Sequence, residues 1–335
     1  TPGTYVSSFT DNPSLPTPRL YQWNLDTGVE LWRNAAFELQ YLGSHSIHLD
    51  HSLYPNQPLP AAGNVNARRP YQLFGQIRQI QNDGLETYNG LTAVFRQHAY
   101  RGLDVSLGYT WSHTLDTSAD SNGGGTPMIQ YNLKADYGNA NWDIRNRFVG
   151  TVTYALPELT RLNAVTRTFV GGWQANAIVT LQSGIPFNVA ITDDRANVGG
   201  IGTQRPNYVH APKSTCSRST YIGGAKVSCI DVTAYSLPGL YTFGNVHRNV
   251  LSGPGQINVN YSMFKNVKIF ERLTAQFRAE AFNLFNHPNP SNPQVTLPTA
   301  NAAGGFTLSS STPFGTITSA QNNGRVLQLA GKINF

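Results

Sequence analysis

The stretch RVLQLAGKINF, running from Arg325 to Phe335, decides the fold. Leu327, Leu329, Gly331, Ile333 and Phe335 fall on one side of an extended chain. Val326, Gln328, Ala330, Lys332 and Asn334 fall on the other. A period of two, with one apolar and one mostly polar face, predicts a strand and excludes a helix. The strand runs up to an aromatic at the last position, where a chain in water ordinarily frays. Such a strand needs neighbours on both flanks and an apolar medium outside, and a closed barrel in an outer membrane supplies both.

The same alternation recurs upstream. Leu273 to Phe285 sets Leu273, Ala275, Phe277, Ala279 and Ala281 against Thr274, Gln276, Arg278 and Glu280. Ile257 to Ile269 sets Ile257, Val259, Tyr261, Met263, Val267 and Ile269 against Asn258, Asn260, Ser262, Asn266 and Lys268. Leu103 to Trp111, Phe148 to Leu156, Trp173 to Leu181, Leu91 to Ala99 and Ala35 to Gly43 follow the rule, and Tyr21 to Asp26 follows it more weakly. A dry sandwich core would not accept Arg278, Glu280 and Lys268 unpaired. A wet barrel lumen would, and so would the solvent face of a large soluble sheet. Aromatics near strand ends (Tyr109, Trp111, Trp173, Phe285, Phe335) suggest interfacial girdles.

Composition agrees. Charged residues are 13% of the 335, against an ordinary value of about a quarter. The net charge of +6 is dispersed, with no Lys/Arg run, which argues against nucleic-acid binding. The chain holds no apolar stretch of about 18 residues, so no transmembrane helix is expected. Mean hydropathy is −0.30, but alternation hides a lipid face from that average. The opening TPGTYVSSFTDNP lacks the charged and apolar regions of a signal peptide, so a mature or partial sequence is expected.

Connections alternate in length. Tyr100-Arg101-Gly102 and Glu271-Arg272 are tight, whereas His45 to Leu85, Thr114 to Asn141, Thr192 to Gln256 and Asn286 to Gly324 are long and rich in Gly, Pro, Ser and Asn. That is the pattern of short periplasmic turns and long outer loops, and it would be abnormal in a compact soluble domain. The fold expected is all-β, an antiparallel up-and-down transmembrane β-barrel of about nine strands, where single-chain bacterial barrels have an even number. Residues 1–335 are therefore expected to be the C-terminal part of a larger barrel.

The segments FRAEAFNLFNHPNPSNP (Phe277 to Pro293), FGTITSA (Phe314 to Ala320) and GRVLQLAGKINF resemble the C-terminus of TonB-dependent outer-membrane receptors. The likeness is to the acidobacterial, Oar-like type with a carboxypeptidase-regulatory-like N-terminal domain. YQWNLDTGVE, LQYLGSHSIHL, GYTWSHTLD, GGWQANAIVTLQSGIPFNV and GPGQINVNYSMFKN extend it, in order, over nearly the whole chain. The resemblance implies a plugged barrel of about 22 strands and TonB-coupled import of a solute such as a siderophore, a glycan or a peptide. The plug and its TonB contact would lie elsewhere in the parent. It also implies that the terminal strand, with Leu327, Leu329, Ile333 and Phe335, is the signal read by the barrel-assembly machinery. The remaining partner is outer-membrane lipid, and no cofactor is implied. A surface adhesion or structural barrel without transport is the alternative, followed by a soluble β-rich carbohydrate-binding protein.

Few residues suggest chemistry. SHSIHLDH offers His45, His48, Asp50 and His51 as weak metal ligands; as a regular strand it would put His48 and Asp50 on one face and His51 on the other. The default is a solvated loop base. Asp116, Asp120 and Asn122 hint at a calcium loop but lack its bidentate Glu. His113, Asp116 and Ser118 are near in sequence, which is not a triad, and neither a GxSxG elbow nor an HExxH pair occurs, so no enzyme is expected. Asp193 and Asp194 read as solvated loop carboxylates. Cys216 and Cys229, separated by 12 residues, fit no common zinc spacing and would form one disulfide in an exported chain.

Overall fold

The computed structural model describes residues 6–117, 125–157, 163, 166, 170–222, 228–270, 273–308 and 314–335. In chain order the strands are β1 (Val6–Asp11), β2 (Arg19–Trp32), β3 (Ala35–Leu53), β4 (Phe74–Tyr100), β5 (Leu103–Asp116), β6 (Gly138–Asn139) and β7 (Asn146–Ala155). They continue as β8 (Trp173–Gln182), β9 (Pro186–Phe187), β10 (Asn207–Tyr208), β11 (Tyr235–Ser236), β12 (Leu251–Ser252), β13 (Gln256–Phe270), β14 (Leu273–Phe282) and β15 (Val326–Asn334). A short helix, α1 (Arg218–Ile222), lies between β10 and β11.

Nine strands form one path, β15-β14-β13-β8-β7-β5-β4-β3-β2, and every pair along it is antiparallel. These are the nine segments whose alternation is legible in the sequence. Among the described residues β2 and β15 are its edges, and both are exposed along their whole length.

Register turns nine separate alternations into one two-faced wall. Directly opposed residues share a face, and the pairing aligns Leu329, Ala279, Met263, Ala175 and Tyr154 in one row. A second row runs through Leu327, Ala281, Tyr261, Ala177, Val152, Val105 and Gln97. The apolar face is exposed, with Phe37, Leu91, Trp111, Leu181, Phe277 and Leu329 all on its surface. An exposed apolar patch this extensive is a contact surface, and one that spans a sheet of this alternation faces lipid.

The opposite face is polar and internally bonded. Arg96 pairs with Glu38. The Thr92 and Thr110 hydroxyls lie 2.9 Å apart. Thr153 donates to Asn176 Oδ1 at 2.9 Å, and Asn176 donates to Ser262 Oγ at 3.2 Å. Polar groups on this face thus find partners across neighbouring strands, while Arg278 meets Glu280 at 3.6 Å within β14.

Turns at one end are tight. Arg101 and Gly102 both have positive φ (52° and 80°), the geometry of a two-residue I′ hairpin turn. A Cβ on Gly102 would come within 2.6 Å of the Ala155 carbonyl oxygen. The Glu271-Arg272 turn falls outside the described residues. At the other end β3 and β4 run on well past the length needed to cross a membrane. β4 has 27 residues, where a transmembrane strand needs about 9–11. The loop expected over His45 to Leu85 is thus about half strand, and β1 pairs in parallel with the protruding part of β4.

The apolar core is not in the sheet. It lies in the long connections, where Phe187, Val189, Ile191, Ile230, Tyr235, Val246, Leu297, Phe306 and Phe314 cluster at 7% exposure or less. The segments expected to be plain polar loops fold into a cap with its own interior.

Candidate functional site

Buried polar contacts brace the cap across connections that are far apart in sequence. Arg205 pairs with Asp136 and also donates to the Ala135 carbonyl at 3.0 Å. Arg248 pairs with Asp116 at the top of β5. Asn249 donates to Asn139 O at 2.6 Å and Asn141 Oδ1 at 2.8 Å. Asn197 donates to the carbonyls of Ala61 and Gly63 at 2.8 and 2.9 Å. Each of these bonds stitches one long connection to another.

Asp194 organises its own loop. Its carboxylate accepts from the backbone N–H groups of Val198 (3.1 Å), Gly199 (2.7 Å) and Gly200 (3.0 Å) and from Gln204 Nε2 (2.7 Å). Burial pushes its pKa up, but these donors outweigh it and hold the carboxyl below its ordinary value. Asp194 is exposed, as the sequence reading expected, but it is not alone.

Beneath the cap, on the polar face of the sheet, lies a cavity of about 440 Å³. Its wall is built by the upper ends of β3, β4 and β5, which supply Ser44, Glu86, Tyr88, Thr92, Thr110, Ser112 and Thr114. Trp142 and Ile144, from the connection between β5 and β7, roof it, and Arg147 of β7 closes one side. Strand alternation places the hydroxyls here, since every second residue of each strand faces the lumen. Ser112 Oγ donates to the Ile144 carbonyl at 2.8 Å, fixing the roof to the wall. Tyr88 lies across Gly90, in the space a side chain there would fill. Among the described residues no side chain pairs with Glu86, which leaves a carboxylate, a guanidinium, two aromatic rings and several hydroxyls around one polar space.

The other sequence candidates are dispersed. His45 Nδ1 lies 3.0 Å from Thr87 Oγ1. His51 is fully buried and pairs with Asp83, while Asp50 is exposed. His48 adopts a left-handed φ of 61°, and the register of β3 against β4 shifts on either side of Leu49. Simple alternation therefore fails across this segment, and the structure does not bring the four residues together. His113 contacts Asn139 at 2.9 Å and Asp116 is taken by Arg248, while Ser118, Asp120 and Asn122 lie outside the described residues. Cys216 and Cys229 are bonded to each other, with their Cα atoms 4.8 Å apart. Leu327, Leu329 and Ile333 stand on the lipid-facing side of β15 and Phe335 follows its last residue, all strongly exposed. The hydroxyl-lined cavity was not foreseen, because its residues come from three strands and a loop whose meeting depends on register.

The family model described as outer membrane beta barrel domain matches residues 1–328. A comparison with curated proteins gives no match. Among solved structures the chain is similar to the outer membrane transporter YddB from Escherichia coli, at 10% identity and a TM-score of 0.51. That likeness covers 98% of this chain and 34% of the other, so this chain spans about a third of its neighbour's length. At this identity the likeness is one of fold.

Proposed function

The chain belongs to the outer membrane beta barrel domain family, and on that footing we propose that it is barrel wall and outer cap of a receptor for solute uptake. The cap admits a polar solute to the lumen, and the cavity under Trp142 holds it. In the parent protein a plug then moves under TonB, as in the receptors the sequence resembles, and the solute passes. The chain acts as conduit and receptor, without a catalytic step. The terminal strand is read by the barrel-assembly machinery, and the wall contacts membrane lipid.

The observation that carries this reading is the cavity of about 440 Å³ on the polar side of a two-faced wall. Hydroxyls, Glu86 and Arg147 offer hydrogen bonds, and Trp142 and Tyr88 offer flat apolar surfaces. Small-molecule sites commonly combine a few placed polar groups with aromatic walls.

The test is uptake by cells carrying or lacking the gene, with a labelled ferric siderophore, an oligosaccharide and an oligopeptide, each with and without a protonophore. The expected result is loss of one class of uptake on deletion, the same loss with protonophore, and reduced uptake in Trp142→Ala. Unchanged uptake of all three would leave the adhesion or structural reading in its place.

A further inference from the structure

We propose that a groove on the lipid-facing side, at the cap end of β7, β8 and β13, holds an anionic lipid of the surrounding outer leaflet. The groove has a volume of about 550 Å³. Its floor is Tyr109, Phe148, Leu181 and Ile257, one from each of β5, β7, β8 and β13. Pairing puts all four in a single row on the apolar face, because Tyr109 opposes Phe148, Phe148 opposes Leu181 and Leu181 opposes Ile257. The floor is therefore a continuation of the surface that meets the membrane, and it opens sideways to lipid.

The upper edge has different chemistry. The segment from Cys216 into α1 overhangs the floor and brings Arg218 to it. That segment is anchored by the bond from Cys216 to Cys229, which is 4% exposed within the apolar core of the cap. His287, from the connection after β14, adds an imidazole whose Nδ1 is buried with no hydrogen-bond partner among the described residues. None of the groove's lining residues is acidic.

An apolar floor that ends under a cation selects an amphiphile with its chain toward the membrane and its anionic head toward the cap. A free anion would leave the floor uncovered. The floor row lies on the opposite face of the wall from the lumen, and Arg147, whose position in β7 is lumen-facing, borders both the groove and the lumen cavity. Continuity with the membrane surface and the positive rim thus specify a resident lipid. Each cation at a membrane surface favours an anionic head by about fivefold, and Arg218→Glu would offset the charge of Arg147 as well as remove its own.

Native mass spectrometry of the full chain tests this. The protein is released from mixed micelles holding equal amounts of phosphatidylglycerol and phosphatidylcholine with identical acyl chains. The expected result is roughly fivefold preferential retention of phosphatidylglycerol. Arg218→Glu abolishes that preference, and Ile257→Trp, which fills the floor, reduces retention of both lipids. Arg218 is exposed, so the variant folds, and heat-modifiable gel mobility checks this for each protein. Equal retention of the two lipids by the unaltered protein, or a preference that survives Arg218→Glu, would overturn the proposal.

Discussion

Single residues hold the cap by accepting from its backbone donors. Asp194 accepts three consecutive N–H groups and one amide, the arrangement that favours the ionised form of a carboxylate. A folded-state pKa below the ordinary 3.8 stabilises the loop at pH above that value. The contribution is lost as pH falls through the lowered value. Asp194→Ala is expected to cost about 2 kcal/mol locally, the scale of hydrogen bonds to a charged group. Hydrogen exchange at the Val198, Gly199 and Gly200 amides reads this as a loss of protection of roughly 30-fold at neutral pH. Below the lowered pKa the variant and the unaltered protein converge; equal protection at pH 7 would remove Asp194 from this role.

At the scale of strands, alternation converts directly into a parity rule. Val179 faces lipid and Thr180 faces the lumen, because β8 is registered on both flanks. Val179→Arg is expected to destabilise the protein in bilayers by up to about 2–4 kcal/mol, depending on depth, and Thr180→Arg by much less. Denaturant unfolding in lipid vesicles compares them, and equal costs would contradict the assignment of faces. The terminal strand allows a second test. If Phe335 serves assembly, Phe335→Ala lowers the folded, heat-modifiable fraction in cells but leaves unassisted refolding into vesicles unchanged. Equal defects in both settings would reduce Phe335 to a packing role.

The nine wall strands were legible in sequence because a period of two is a local signal, repeated in each segment. The cavity was not, because Ser44, Tyr88 and Thr110 meet only through pairing between strands. The protruding third of β4 was hidden for another reason. Its residues, from Phe74 to Asn82, mix polar and apolar types without alternation, since both faces of that stretch lie beyond the lipid. At His48 the signal was present and misleading, because a left-handed residue interrupts the strand and resets which neighbours share a face.

On the scale of the whole molecule, wall and cap obey opposite solvent rules. The wall exposes its apolar side chains to lipid, while the cap buries Phe187, Tyr235 and Phe314 away from water. The cap therefore unfolds by exposing apolar surface to water, with the positive heat-capacity change that accompanies it. Calorimetry in detergent is expected to show a cap transition below that of the wall. The Cys216–Cys229 bond closes a short loop inside the cap, and links of that length contribute about 3 kcal/mol. A reductant should move the lower transition down and leave the upper one in place. Movement of both together would mean that the two parts unfold as one.

The bracing of the cap has a consequence for how a cell carrying this protein is seen from outside. Arg205 with Asp136, Arg248 with Asp116, and Asn197 with the 61–63 backbone join segments distant in the chain into one surface. An antibody or a phage tail fibre meeting that surface reads a discontinuous epitope. Antisera raised against synthetic peptides of single loops will recognise the denatured chain on a blot and pass over the living cell.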